Sequence, residues 1–86
     1  MTNETLEYVK RSKYRQKVLT ALEDDVLMPK QIAERSGIKT NHVSKVLAEL
    51  KCKDLIELIN PEYRKGRLYR IKKDGKVIIG QINNES

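Results

Sequence analysis

Apolar residues recur along this chain at two different periods, and the change of period divides it into elements. Tyr14, Val18 and Leu22 lie four apart, and Leu19 and Ala21 widen the stripe, which predicts an amphipathic helix. Ser12 is a good N-cap type for its start, and Glu23-Asp24-Asp25 closes it in a solvated loop. Val26 and Leu27 predict a strand of one or two residues leading to Pro29. Proline suits a first helical position, where its missing N–H is harmless. Ile32 and Ala33 then face inward, Gly37 supplies a left-handed residue after the helix, and Ile38 covers the turn. Thr40 is placed to cap the next helix, in which Val43, Val46, Leu47 and Leu50 follow the 3, 4, 7 spacing of a buried stripe.

Beyond Lys53-Asp54 the pattern shortens. Leu55 to Ile59, aliphatic except for Glu57, reads as a strand that Asn60-Pro61 breaks. Arg64-Lys65-Gly66-Arg67 forms a loop tip, with glycine for the reversal, and Leu68 to Ile71 returns. A two-stranded hairpin is marginal alone, so it must pack on the helices. In the last segment, Lys76 to Ile82, the side chains of Val77, Ile78, Ile79 and Ile82 point in too many directions for one helix face on a small core. Either this is a strand, or it is a helix that also buries a face against a second subunit; we favour the helix. Residues 1–11 are expected to form a weakly structured arm, with Leu6, Tyr8 and Val9 available to dock, and residues 83–86 a tail.

Eighty-six residues make one domain, set at 12–82 by these elements. With no Trp, no Phe and four Tyr, its core must be aliphatic. The single Cys52 excludes an intrachain disulfide framework and fits a reducing compartment. No apolar run approaches the roughly 18 residues of a membrane span, and the N-terminus has no apolar signal region. A cytoplasmic protein with no membrane partner is the expectation. The net charge of +6 suggests a polyanionic partner, nucleic acid being the commonest. Lys10 to Lys17 holds five basic residues and no acidic one.

The spacing from Ile32 to Val46 carries the strongest signal. A small residue, Ala33, lets a second helix cross closely; Gly37 permits a sharp turn; Ile38, Val43 and Val46 lock the second helix on the first. These are the mechanical requirements of a helix-turn-helix. Taken with Pro29-Lys30-Gln31-Ile32-Ala33, Ser36-Gly37-Ile38, Val43-Ser44-Lys45-Val46-Leu47 with Leu50, Leu55-Ile56, Gly66-Arg67-Leu68-Tyr69 and Asp74-Gly75, residues 12–82 resemble the winged helix-turn-helix regulators of the broad MarR- and ArsR-type class, common in archaea and bacteria. The resemblance implies an α+β, mostly helical fold: a three-helix core, a two-stranded β-hairpin wing and a C-terminal helix. Three positions depart from the class. Met28 stands where Ser or Thr often caps the first helix of the pair, Asp54 where Gly often follows the second, and Lys72 where Thr often precedes the last helix.

In a docking like that of the class, the second helix of the pair lies in the major groove of duplex DNA. Stepping round it by 100° per residue sets Asn41, Lys45, Ala48 and Cys52 opposite the buried stripe, with Ser44 and Glu49 at the flanks. Asn41 suits a bidentate pair with adenine, and Lys45 suits guanine O6 and N7. Thr40 and Ser44 offer hydroxyls to phosphate or base, and His42, near the edge of this face, either contacts phosphate or is only exposed. Arg64, Lys65 and Arg67 on the wing suit the neighbouring minor groove or phosphates, and Lys30 and Lys39 suit phosphates. The expectation is a sequence-specific transcriptional regulator, homodimeric through the C-terminal segment and possibly the first helix. The alternative is a winged-helix protein-interaction module that does not touch DNA. One His, no glycine-rich phosphate loop and no paired metal-ligand motif argue against an enzyme, and no cofactor is implied. Cys52 lacks a partner cysteine, which argues against redox sensing.

Overall fold

Backbone chemistry at a few positions decides where each element begins and ends. In the computed structural model, which describes residues 3–85, the order is α1 (Asn3–Lys10), α2 (Lys13–Ala21), α3 (Pro29–Ser36), α4 (Thr40–Cys52), β1 (Ile56–Leu58), β2 (Tyr69–Ile71) and α5 (Lys73–Glu85). Ser12 caps α2 as expected, its Oγ accepting from Arg15 N at 3.3 Å. Pro29 opens α3, and Gly37, at φ 72°, ends it in the left-handed region where a Cβ is penalised. Gly66 at φ 68° makes the expected reversal in the hairpin. Met28 has no oxygen with which to cap α3. Gln31 supplies the missing partner instead, its Oε1 accepting from Met28 N at 2.9 Å.

Asp54 occupies the left-handed region at φ 62°, at the place where Gly is common in the class. Aspartate enters this region occasionally, at a greater cost than glycine. Its carboxylate also accepts from Lys72 Nζ at 2.6 Å, a bond that reaches from the end of α4 to the start of α5. That bond is the main reason the Lys72 ammonium holds its proton above the usual lysine range, against a smaller opposing effect of desolvation.

Several expectations need correction. The arm is not weakly structured: residues 3–10 form α1, because Leu6 and Val9, three apart, present one apolar edge and Val9 is fully buried. Met1, Thr2 and Ser86 lie outside the described residues. The expected tail is helical as far as Glu85, and α5 starts at Lys73 rather than after Gly75. Thr40 is the first residue of α4 rather than its cap; Lys39 holds that position without a side-chain bond. Tyr14 leaves the stripe it was assigned to, being 43% exposed while Val18 and Leu22 are buried. Finally, Ile78 and Ile79 are fully buried within this chain and Ile82 packs partly on the same core. Only Val77 of the C-terminal apolar set is exposed, so one subunit absorbs most of the surplus.

The core is aliphatic throughout. Leu19, Ile32, Val43, Leu47 and Leu50 from the three central helices, with Leu22 just past α2, meet Leu55, Ile56, Ile78 and Ile79. Each such side chain contributes about 1.5–3 kcal/mol by leaving water. The hairpin pairs Ile56 with Ile71, Glu57 with Arg70 and Leu58 with Tyr69. The predicted short strand before Pro29 is a single bridge from Leu27 to Tyr69, whose two N–H···O bonds are 3.1 and 2.8 Å. Three strand segments therefore share Tyr69, and the wing is fastened to the loop between α2 and α3.

Gly75 lets α5 close on β1. A Cβ there would lie 2.4 Å from the Leu55 carbonyl oxygen and 2.8 Å from Ile71 Cγ1. Alanine gains about 1 kcal/mol of helix propensity over glycine, but a clash with backbone costs roughly 1–3 kcal/mol because the carbonyl cannot turn away. Gly75→Ala is therefore expected to lower the thermal midpoint, by a net loss of up to about 2 kcal/mol; a raised midpoint would show that α5 can shift freely on the hairpin.

Candidate nucleic-acid interface

The two sides of α4 are put to different uses. Val43, Val46, Leu47 and Leu50 are buried, while Asn41, Ser44, Lys45, Ala48 and Cys52 are exposed on the other side. Between them runs a flank that the packing consumes. His42 meets Tyr14 of α2 ring to ring, centroids 5.4 Å apart and planes inclined at 57°. Seven residues on, Glu49 accepts from Arg15 Nε at 3.2 Å. Just past the helix, Lys53 Nζ lies 4.9 Å from the centroid of the Tyr8 ring in α1.

Arg15 is the hub of this flank. Its Nη1 donates to the Tyr8 carbonyl at 2.8 Å, and its guanidinium carbon lies 3.7 Å from the Tyr8 ring centroid. One side chain, 17% exposed, thus joins α1, α2 and α4. It also neutralises Glu49, a carboxylate at the flank of the outward face. A cation over an aromatic ring contributes about 0.5–2 kcal/mol and a charged hydrogen bond about 1.5–3 kcal/mol.

Other cations are also occupied. Arg35 pairs with Asp25, Arg70 with Glu57 at 2.9 Å and Lys72 with Asp54. By contrast, Lys30, Lys39, Lys45, Arg64 and Lys65 are exposed and make no ion pair among the described residues. Arg67 has one nitrogen committed, Nε donating to the Tyr63 carbonyl at 2.9 Å, which shapes the wing tip. Asn60 closes the same loop, donating to the Gly66 carbonyl at 3.0 Å and accepting from Leu68 N at 2.7 Å. The tip folds towards the start of α3: a Cβ on Gly66 would sit 4.0 Å from Met28 Sδ. Lys30 stands two residues beyond, on the first turn of α3.

No family model matches the sequence, and no curated protein matches it. Solved structures do. TubR of Bacillus thuringiensis serovar israelensis, bound to 24 bp of tubC, is 16% identical with a TM-score of 0.80, over 98% of this chain and 94% of that one. Bordetella bronchiseptica BpsR, whose DNA binding is regulated by 6-hydroxynicotinic acid, is 20% identical with a TM-score of 0.78, over 85% and 57%. The MarR family regulator NMB1585 of Neisseria meningitidis is 23% identical with a TM-score of 0.74, over 96% and 62%. This chain has a winged helix-turn-helix fold. It spans less than two thirds of the length of the last two structures but nearly all of TubR.

In winged-helix terms, α3 and α4 are the helix-turn-helix pair, α4 holds the place in the fold of the recognition helix, and the β1–β2 hairpin holds that of the wing. All ten residues singled out in the sequence, Thr40, Asn41, His42, Ser44, Lys45, Lys30, Lys39, Arg64, Lys65 and Arg67, are exposed. His42 differs from the rest in having an aromatic neighbour. The flank contacts at Tyr8, Tyr14 and Arg15 were not foreseen. The seven-residue spacing of His42 and Glu49, followed by Lys53, could have marked a second polar stripe, but nothing local names its partners. The basic run Lys10 to Lys17 is also not uniform, since Arg15 is structural while Lys13 and Lys17 are exposed. No helix among the described residues is long and apolar enough to cross a membrane.

Replacing the hub should loosen α1 from the recognition helix. Arg15→Ala is expected to lower the urea midpoint by a loss of about 1–3 kcal/mol, and Glu49→Gln, which keeps a hydrogen-bond acceptor, by a smaller amount. Equal midpoints for Arg15→Ala and wild type would mean the clamp contributes nothing.

Proposed function

We propose that this protein binds duplex DNA as a transcriptional regulator, with α4 in the major groove and the wing on the adjacent backbone or minor groove. The observation that carries the reading is the division of the cations. Lys45 and Lys39 on α4 and at its start, Lys30 at the start of α3, and Arg64 and Lys65 at the wing tip are exposed with no carboxylate partner among the described residues, while Arg15, Arg35, Arg70 and Lys72 are paired. Leaving like charges unpaired on one surface stabilises nothing in the free protein, and an approaching polyanion uses them. The likeness to TubR, described bound to DNA, and to BpsR, described in terms of its DNA binding, supports the same reading. The role is recognition rather than catalysis.

In this arrangement Asn41 reads adenine and Lys45 reads guanine. Thr40 and Ser44 contact phosphate or base edges. Lys30, Lys39, Arg64, Lys65 and Arg67 hold the backbone and carry no sequence information directly. His42, braced by Tyr14, reaches the backbone at the groove edge. Two copies bind together, related by a two-fold axis that matches half-sites about 10 base pairs apart. The pairing surface is α5, where Val77 is 39% exposed, with α2, the helix that Ser12 caps, as its candidate second element.

Selection of bound duplexes from a random pool tests specificity and symmetry together: an enriched palindrome is expected, and a pool that stays random would remove the sequence-specific reading. The logarithm of affinity against the logarithm of salt concentration should fall by about 0.9 for each phosphate neutralised, and a flat line would remove DNA binding altogether. On the selected duplex, Lys45→Ala is expected to cost about 1–3 kcal/mol and to relax the preference at one base position. Arg67→Ala should instead weaken all duplexes alike. Light scattering in the absence of DNA should give the mass of a dimer at working concentration, and a monomer there would count against the pairing.

A further inference from the structure

Tyr14 is the residue whose surroundings the fold leaves unexplained. It begins the apolar stripe of α2 by spacing, yet the core does not take it. Its ring is 43% exposed and leans on His42 of the recognition helix. Its hydroxyl makes no hydrogen bond among the described residues. Tyrosine has an apolar body and a polar tip, and here the body is braced while the tip is free.

The neighbourhood has a definite character. Ser12, Tyr14, Arg15, His42, Lys45 and Glu49 line one shallow cleft between the start of α2 and α4. Its acid, Glu49, is neutralised by Arg15. Lys45 makes no ion pair, and Lys13 beside Tyr14 is exposed. The cleft therefore offers a neutral O–H donor between unpaired lysines, on the side of α4 where α2 abuts it. A DNA strand bordering a groove that holds α4 passes such a flank, and its phosphate oxygens accept hydrogen bonds from tyrosine hydroxyls.

We infer that Tyr14 is a DNA-contacting residue, its hydroxyl donating to a backbone phosphate at the edge of the groove that α4 enters, with the His42 ring holding it in place. This rests on the DNA-binding reading and adds a contact from α2. The contact is of a different electrical kind from the lysines. A neutral donor releases no counterion, so losing it lowers affinity without changing the salt slope, whereas losing a lysine lowers both.

Tyr14→Phe is the decisive variant, because it keeps the ring against His42 and removes only the hydroxyl. Its affinity for duplex DNA is expected to fall roughly 3- to 10-fold on any sequence, with the salt slope and thermal midpoint of the wild type. Lys39→Ala, at a lysine placed on the backbone, provides the contrast, with a slope reduced by about 0.9. Interference by phosphate ethylation should show one position per half-site that matters to the wild type and not to Tyr14→Phe. Unchanged affinity, or a loss with the wild-type interference pattern, overturns the inference while leaving DNA binding intact. Wild-type protein with no salt-dependent binding would overturn both together.

Discussion

The recognition helix has its orientation because one arginine cannot satisfy itself on a single element. A guanidinium carries five donors in a rigid plane, and Arg15 spends them on the Tyr8 carbonyl and the Glu49 carboxylate while its face rests on the Tyr8 ring. These partners belong to α1 and α4, and the arginine itself to α2. The clamp acts on the flank of α4, beside the buried stripe that fixes the helix in depth. Depth and coarse rotation come from burial of the one-sided aliphatic stripe, which is strong but tolerates small turns about the helix axis. Rotation is resisted by directional contacts, and His42, Glu49 and Lys53 supply three of them along one edge. On the proposed function, a helix that presents side chains to base edges needs both.

The same economy organises the surface charge. A net charge of +6 spread evenly would favour solubility and weak association with any polyanion. Here Arg35, Arg70 and Lys72 stand next to carboxylates, while Lys30, Lys39, Lys45, Arg64 and Lys65 have no such partner among the described residues. On the proposed function, the paired set is already neutralised within the protein, and the unpaired set makes binding salt-dependent. Arg15 belongs to the first group although it lies in the most basic run of the chain, so the local density of positive charge is a poor guide to which residues meet a ligand.

Much of the fold is legible in the sequence because it is dictated locally. Ser12, Pro29 and Gly37 act through the backbone of their own neighbours, and the Val43 to Leu50 stripe needs only the helical period. The residues proposed for the interface could be found for the same reason, as whatever the stripe does not use. What escapes is what depends on a distant partner. The burial of Val9 and the helix around it exist because α2 and α5 provide a wall. Tyr14 fits the apolar spacing of its helix, yet it sits where the wall has ended and His42 is its neighbour instead. Ile78 and Ile79 seemed too many for one small core, until the close approach allowed by Gly75 brings α5 down onto the hairpin.

The bridge between Leu27 and Tyr69 ties the wing to the loop that leads into α3. A hairpin joined to the helices only through its two ends would swing like a door. This one is latched by hydrogen bonds at its return strand, and its tip rests near Met28. The distance between wing and recognition helix is thereby a built-in dimension of the protein. On the proposed function, the strain of mismatch then falls on the nucleic acid. A duplex whose groove width does not meet that fixed span must bend or narrow to fit, and sequences rich in pliable steps do so at lower cost. Selectivity can therefore arise at base pairs that no side chain touches.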